Sequence, residues 1–284
     1  MAKAFHGRLL TALLGLSLFW TFPAPTYANH YWGSNPPPNS YHWARTTASF
    51  TLKLGDNVSS AWDSYLATAS FDWSASAVLD TTIVTGNNNL DSTTLRKCPP
   101  TSGRVEVCAT TYGNTGWLGV ASIWIGWFSS HITQGTVKLN DTYFNTAKYN
   151  TAAWRNLVMC QEIGHTFGLD HQDETSGNPN LGTCMDYTND PDGTIKSQLS
   201  NEHPNAHDYE ELGIIYSHLD STTTVKQSVN NKPAAANDEP ARLGTGQWGK
   251  LIRSTNHGRT ELYELDLGRG RKVLTQVIWA EPEE

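Results

Sequence analysis

Three side chains with the chemistry of a zinc site lie close together in the stretch QEIGHTFGLDH, which spans residues 161–171. The imidazoles of His165 and His171 can bind zinc, and Glu162 can act as a base beside the metal. In the pattern H-E-x-x-H the two histidines share one face of a helix. Here Gln161 stands at the position of the first histidine.

Two further features of the sequence surround this stretch. Gly168 is suited to end the helix, because a glycine lets the chain turn back and carry His171 to the metal. The run CMDY at residues 184–187 places Met185 14 residues after His171. The pattern E-x-x-H-x-x-G-x-x-H followed by C-M-D-Y resembles the metzincin metallopeptidases, and among them the matrixin-like secreted bacterial proteins, over residues 41–220.

The resemblance implies both a fold and a set of site residues. The fold is α+β and zincin- or metzincin-like, with a twisted mixed sheet, an active-site helix, a Met-turn and a C-terminal helix. One catalytic zinc ion is held by His165 and His171, with the amide oxygen of Gln161 as a provisional third ligand. Glu162 is the catalytic base that takes a proton from a metal-activated water and passes it to the leaving amine.

The Met-turn and the tyrosine that follows it also have implied roles. Met185 lies beneath the metal site, and the hydroxyl of Tyr187 reaches the metal or the reacting carbonyl. Simple packing is the alternative role for Tyr187. Because an amide is a weaker zinc ligand than an imidazole, His203 or His207 is a further candidate for the missing nitrogen, although such histidines are more often helix-start or surface residues.

The N-terminus has the composition of a secretory signal peptide over residues 1–28. Lys3 and Arg8 precede an apolar run at residues 9–20, and Thr26-Tyr27-Ala28 fits a cleavage site. An uncleaved membrane anchor is the alternative, but the run is too short to span a bilayer. Loss of Lys3 and Arg8 with the signal would take the formal charge from −7 to −9. We therefore predict a secreted, extracellular protein with no nucleic-acid partner and no membrane contact after signal cleavage.

Four cysteines in an exported chain predict two disulfides, and sequence alone permits three pairings. We favour Cys98 with Cys108, which would close a surface hairpin, and Cys160 with Cys184, which would tie the active-site helix to the Met-turn. The alternative is that Cys160 or Cys184 binds the metal. It is disfavoured because Cys160 points away from His165 when both lie on one helix.

Composition divides the chain into five segments. After the signal peptide we predict a Pro-rich leader at residues 29–40 and a metzincin-like catalytic domain at residues 41–220. A linker rich in Thr, Asn, Ala and Pro follows at residues 221–242. A short β-rich C-terminal extension at residues 243–284 completes the chain, and its sequence suggests no function.

Hydrophobic periodicity predicts the elements that must position the site. The predicted strands are 50–54, 78–84, 119–125, 135–140, 261–265 and 273–279; the predicted helices are 60–76, 143–168 and 205–219, with 143–168 as the active-site helix; the stretch 86–108 is expected to be loop-rich. In metzincins an antiparallel edge strand lines the cleft and binds the substrate backbone by strand addition. Strand 119–125 or strand 135–140 is the expected counterpart, and an ordinary core strand is the alternative.

Acidic side chains downstream of the zinc pattern could hold a second ion. Asp173, Glu174, Asp190 and Asp192 are candidates for calcium ligands, but their spacing matches no calcium-binding pattern. A solvated loop is the favoured interpretation.

Two functional hypotheses follow from the sequence. The leading one is a secreted zinc-dependent endopeptidase that hydrolyses peptide bonds in extracellular protein or peptide substrates through a metal-activated water. The alternative is a catalytically inactive zincin-fold domain that binds extracellular protein or glycan, with Gln161 marking the loss of the metal.

Overall fold

The protein is described by a computed structural model that covers residues 1, 30–33, 36–37, 39–87, 92–175, 177–225 and 248–281. Within these residues the chain folds into one twisted mixed sheet of nine strands with five α-helices. The expectation of a twisted mixed sheet is therefore confirmed. The predicted signal peptide, apart from Met1, and most of the predicted linker lie outside the described residues. None of the helices in the described ranges is long and apolar enough to cross a membrane.

Strands and α-helices are mixed up to residue 215, and three strands with one short 3-10 turn (Asn256–Gly258) follow among the described residues. The strands are β1 (His42–Trp43), β2 (Phe50–Asn57), β3 (Leu79–Thr85), β4 (Val105–Thr110), β5 (Trp117–Ile125), β6 (His131–Asn140), β7 (Lys250–Thr255), β8 (Thr260–Gly268) and β9 (Arg271–Trp279). The helices are α1 (Asp63–Trp73), α2 (Ser92–Lys97), α3 (Asp141–Phe144), α4 (Ala152–His165) and α5 (Ala206–Ile215).

The sheet is parallel in its first part and antiparallel in its second. Its strand order is β3-β2-β4-β6-β5-β9-β8-β7, with β1 beside β6. Strands β2, β3, β4 and β6 run parallel, and β5 is antiparallel to β6. The β2-α1-β3 unit is the predicted β-α-β opening, in which the helix provides the crossover that parallel strands require.

Strand β4 lies in the stretch 86–108 that is expected to be loop-rich, so that expectation is wrong for its last residues. Five of the six residues of β4 are buried, and Glu106 among them is fully buried. Its carboxylate accepts a hydrogen bond from the Arg104 side chain (2.6 Å). The strand has only six residues and follows a segment rich in Pro, Ser and Gly, whose composition is typical of a loop.

The predicted active-site helix at 143–168 is wrong at both ends. The stretch contains the last two residues of α3 and all of α4, which are separated by a turn. The side chains of Asn140 and Thr151 cap α3 and α4, and each accepts a hydrogen bond from a backbone N–H of the first turn. Helix α4 ends at His165, three residues before Gly168.

The last three strands form an antiparallel unit, residues 248–281, which we call the C-terminal meander. Strand β9 pairs with β5 along most of its length, and Ile278 lies opposite Gly119. The strand expected at 119–125 is β5 and is antiparallel, but the expectation that it lies at the sheet edge is wrong because β9 covers it. The other candidate, 135–140, lies in β6 between β4 and β5.

Helix α4 is fixed against α1 and against the turn that contains Met185. A Cβ atom on Gly164 would lie 2.6 Å from the Trp73 ring and 2.7 Å from the Met185 sulfur, so no larger residue fits there. The Trp73 indole N–H donates to the carbonyl of Cys160 (3.1 Å). A disulfide joins Cys160 to Cys184, the residue before Met185. The final turns of α4 are thereby held to the Met185 turn by both packing and a covalent bond.

Replacing Cys160 and Cys184 by alanine should lower the free energy of unfolding by about 3 kcal/mol, because the bond constrains a loop in the unfolded chain. The matched control is the Cys98–Cys108 disulfide, which spans 10 residues where Cys160–Cys184 spans 24. The double alanine variant of Cys98 and Cys108 should show a smaller fall in the free energy of unfolding, because it opens a shorter loop. Urea unfolding followed by tryptophan fluorescence measures both losses, and a greater loss from the shorter loop would contradict this explanation.

Candidate active site

The imidazoles of His165 and His171 meet at the C-terminal end of α4. Their Nε2 atoms lie 3.1 Å apart, and the two rings are nearly perpendicular, at 84°. Two imidazole nitrogens bound to one tetrahedral zinc ion lie about 3.3 Å apart, given Zn–N bonds of about 2.0–2.1 Å. The separation of the two nitrogens therefore suits a shared metal ion.

Both rings present an Nε2 atom without a proton. His165 Nδ1 donates to the carbonyl of Leu169 (2.9 Å), and His171 Nδ1 donates to the carboxylate of Glu174 (3.3 Å). Since these oxygens can only accept, the proton of each neutral ring lies on Nδ1. Burial lowers the pKa of His165 well below its ordinary value, which favours the neutral ring. The two Nε2 lone pairs then face each other, and a cation between them removes the repulsion.

Gly168 makes the chain reversal that brings the two histidines together. Its φ is +101°, in the left-handed region that favours glycine. A Cβ atom at this position would lie 2.2 Å from the carbonyl oxygen of Tyr41. Position 168 therefore requires glycine for both its conformation and its space.

Trp32 stacks on His165, with ring centroids 5.2 Å apart and an interplanar angle of 19°.

Glu162 is completely buried beside strand β5. Neither of its carboxylate oxygens has a hydrogen-bond partner among the described residues. A Cβ atom on Gly119 would lie 2.5 Å from Glu162 Oε1, so the carboxylate rests against the bare backbone of β5. Burial raises the pKa of Glu162 well above its ordinary value. A carboxylate in this setting is a stronger base than one in water.

Gln161 is buried, and its amide is anchored at one end. The amide nitrogen donates to the carbonyl of Cys184 (2.8 Å), next to Met185. The amide oxygen has no hydrogen-bond partner among the described residues. The Cys184 carbonyl thus fixes the amide and leaves its oxygen free to accept.

The last turns of α4 and the residues after it therefore carry several buried electron-pair donors: the two Nε2 atoms face each other, and the others have no hydrogen-bond partner among the described residues. The set comprises the Nε2 atoms of His165 and His171, the carboxylate of Glu162 and the amide oxygen of Gln161. Buried groups of this kind are costly unless they are paired. Imidazole nitrogens with oxygen donors are ligands that zinc accepts, so the residues present fit the metal.

Met185 and Tyr187 flank the two histidines from the Met185 turn. Met185 is fully buried against Gly164 of α4. The Tyr187 ring lies 6.3 Å from the His171 ring, at 89°. Its hydroxyl donates to the carbonyl of Arg259 in the C-terminal meander (3.3 Å). In this conformation the Tyr187 hydroxyl is engaged by the meander.

Arg253 of β7 brings the C-terminal meander to the residue beside His171. Its guanidinium donates two hydrogen bonds to the carboxylate of Asp170, at 2.6 and 2.5 Å, and lies 3.4 Å from Glu174. Burial alone would raise the pKa of Asp170, but the bonds from Arg253 outweigh it and lower the pKa. Asp170, His171 and Glu174 lie close enough to form a metal site of their own. Arg253 already supplies the positive charge there.

The two further histidine candidates have other partners. His203 Nδ1 lies 2.6 Å from a carboxylate oxygen of Asp72 on α1, and half of the His203 side chain is exposed. The His207 ring lies 5.1 Å from the ring of His30. These contacts account for both side chains without the zinc ligand role.

Three of the four acidic candidates for calcium bind groups of their own loop. Asp173 accepts from the Thr175 backbone and the Asn178 side chain. Asp190 accepts from backbone N–H groups of residues 195 and 196, and Asp192 accepts from Thr194. The fourth, Glu174, belongs to the cluster around His171 and Arg253. This pattern is that of carboxylates that stabilise turns.

Sequence reasoning misses three residues that shape the site: Trp32, Gly119 and Arg253. Gly119 carries a usable signal, because a glycine inside a buried strand often marks the close approach of another group. Trp32 and Arg253 belong to no motif and reach the site only through tertiary contacts.

Comparison with known proteins gives little. No protein-family model and no curated protein sequence matches the chain. Among solved structures, the chain is similar to high choriolytic enzyme 1, a hatching enzyme zinc-protease from Oryzias latipes (medaka fish). The identity is 10%, the TM-score is 0.35, and the match covers 62% of this chain and 94% of the fish protein. A TM-score of this size does not define a common fold.

Replacing Arg253 by glutamine should loosen the C-terminal meander, because Asp170 would lose both charge-assisted hydrogen bonds. We expect the local stability of the meander to fall by about 1–3 kcal/mol. Hydrogen–deuterium exchange of the β9 amides, measured by mass spectrometry, reports this loss. Lys250→Gln is the matched control, since Lys250 is an exposed cation on the same strand. Equal exchange in the two variants would mean that Arg253 does not anchor the meander.

Proposed function

We propose that the chain is a secreted zinc-dependent endopeptidase with a metzincin-like, matrixin-like site. The observation that carries this proposal is the pair of Nε2 atoms 3.1 Å apart, with both Nδ1 atoms engaged elsewhere. A buried glutamate beside the pair adds the base that peptide hydrolysis needs. His165 and His171 would hold the metal, and the Gln161 amide oxygen would be the third protein ligand.

Zinc in such a site supplies Lewis acidity, which polarises the peptide carbonyl and lowers the pKa of water. Glu162 accepts the proton of the attacking water and transfers it to the nitrogen of the leaving amine. Burial raises the pKa of Glu162, which makes its carboxylate a better proton acceptor than one in water. Water adds to the carbonyl carbon, the C–N bond breaks, and the products are a carboxylic acid and an amine.

The elements around the site support a metzincin-like arrangement. Helix α4 carries Gln161, Glu162 and His165, the Met185 turn packs beneath it, and α5 follows as the C-terminal helix. The antiparallel strand β5 passes beside Glu162, and it is the strand to which an extended peptide would add once β9 is displaced. The Tyr187 hydroxyl would serve the reacting carbonyl only after it leaves the carbonyl of Arg259.

The conformation described here is closed to a peptide at β5. Strand β9 pairs with the edge of β5 that faces away from β6, and Glu162 and His165 are completely buried. A peptide that adds to β5 must therefore displace β9. The bonds from Arg253 to Asp170 oppose that displacement.

Export is part of the proposal and rests on the signal-like sequence of residues 1–28. The two disulfides agree with an oxidising compartment, where such bonds form and persist. The substrates would be extracellular proteins or peptides.

Replacing Glu162 by glutamine should lower the rate of casein cleavage by about 100- to 10,000-fold, because the amide cannot accept the proton. Zinc content should stay unchanged. The control is Glu210→Gln, since the Glu210 side chain is 75% exposed on α5. A fluorogenic casein assay with elemental analysis of each variant tests the assignment, and full activity in the Glu162 variant would overturn it.

Replacing Gln161 by histidine should tighten zinc binding by about tenfold or more, because imidazole is the better ligand. Competition with a chromogenic chelator measures the affinity. The double variant His165→Gln/His171→Gln lacks the site and provides the baseline. Unchanged affinity would mean that the Gln161 oxygen does not contact the metal.

The alternative function is a catalytically inactive domain that binds extracellular protein or glycan. It predicts no zinc that depends on His165 and His171, and no cleavage even when the C-terminal meander is loosened by Arg253→Gln. The metal analysis and casein assay above distinguish the two functions.

A further inference from the structure

A second cluster of histidines lies around Asp220, just after α5. His42 comes from β1, His131 begins β6, and His218 precedes Asp220 by two residues. All three rings direct Nε2 at the same carboxylate oxygen, Asp220 Oδ1. The distances are 3.5 Å from His42, 3.0 Å from His131 and 3.3 Å from His218. None of these residues belongs to the candidate active site.

Hydrogen bonding within the protein leaves His42 with an unpaired lone pair in this cluster. His42 Nδ1 donates to the carbonyl of Ser40 (2.7 Å), so the neutral ring carries no proton on Nε2. That Nε2 atom is buried and has no hydrogen-bond partner among the described residues. Only 3% of the His42 side chain is exposed. A bare nitrogen that faces a carboxylate oxygen is repelled by it, and a cation between the two reverses the interaction.

The carboxylate is oriented toward the histidines by the backbone. Asp220 Oδ2 accepts from the backbone N–H of Arg45 (2.9 Å), which leaves Oδ1 for the rings. Metal-binding residues are commonly fixed in this way, by hydrogen bonds from their second polar atom to the main chain. His42 and Asp220 each have such a bond.

The spacing of His42, His131 and Asp220 suits a shared zinc ion. Ligand atoms on a tetrahedral zinc ion lie about 3.3 Å apart, given bond lengths of about 2.0–2.2 Å. The three measured distances to Asp220 Oδ1 lie between 3.0 and 3.5 Å. The ligand atoms of His42, His131 and Asp220 also all lie within 4.8 Å of one another. Two imidazoles and one carboxylate favour zinc over calcium or magnesium, which prefer oxygen ligands.

We propose that His42, His131 and Asp220 bind a zinc ion with a structural role, beside His218. The ion would join the short strand β1 and the segment after α5 to the start of β6. It is independent of the proposed peptidase site and would exist even in an inactive protein.

The test is the zinc content of the purified full chain after dialysis, measured by inductively coupled plasma mass spectrometry. His42→Gln and His131→Gln should each remove one zinc per chain. By removing this ion, a chelator should lower the midpoint temperature of thermal unfolding of the unmodified chain. In each variant the chelator should no longer cause that fall. The matched control is His203→Gln, because His203 also faces an aspartate but outside the cluster. The proposal is wrong if His42→Gln and His131→Gln retain the zinc content of the control.

The double variant His165→Gln/His171→Gln separates this site from the candidate active site. If both sites bind zinc, the unmodified chain holds two ions, and each set of variants removes a different one. If only the Asp220 cluster binds, the chain holds one ion that His131→Gln removes. If only the active site binds, that one ion is removed by the double variant instead, and the structural site is refuted.

A second measurement does not depend on whether the variants fold. Crystals of the unmodified chain, measured at the zinc absorption edge, should give an anomalous peak between His42, His131 and Asp220. Absence of a peak there in zinc-supplemented crystals would overturn the proposal.

Discussion

The four carbonyl groups that follow the end of α4 hold the centre of the molecule together. These carbonyls lie in the turn beyond the helix, where buried backbone groups need partners, and each of the four is used by a different group. Trp43 Nε1 donates to the carbonyl of Thr166, and the Tyr216 hydroxyl donates to that of Phe167. The Trp32 backbone N–H donates to the carbonyl of Gly168, and His165 Nδ1 donates to that of Leu169. The N-terminal segment, the end of α5 and the zinc-ligand candidate on α4 thus converge on one turn. Gly168 permits that turn, and the position of His171 depends on it.

The two histidine clusters follow one chemical rule. His165 and His42 each donate Nδ1–H to a backbone carbonyl, and each then presents a bare Nε2 to another electron-pair donor. The backbone therefore selects the tautomer before any ion binds. A divalent cation is the simplest partner that would satisfy the facing groups in both places.

The sequence predicts the parts of the site that lie on one stretch of chain. Residues 161–171 and 184–187 contain the histidines, the glutamate and the Met185 turn, and their local spacing already specifies a helix, a reversal and a return. The break before α4 depends on Asn140 and Thr151, which become caps only when the flanking residues adopt helical conformations. A propensity average over the stretch does not resolve that choice.

Contacts between distant segments are outside the reach of such reasoning. His42, His131 and Asp220 have no common spacing, and only the pairing of β1 with β6 and the return of the chain after α5 bring them together. The pairing of β9 with β5 is of the same kind. Alternation in residues 273–279 indicates a strand, but it does not identify the neighbouring strand.

The C-terminal meander also changes where this sheet can meet another molecule. An unpaired strand offers backbone N–H and C=O groups to any extended chain. Because β9 and β8 continue the sheet beyond β5, the exposed margin on that side is β7, the last of the described strands. Leu251 and Ile252 are partly exposed there, next to the charged Lys250. Self-association through strand pairing on this side would therefore occur at β7, three strands away from the strand that touches Glu162.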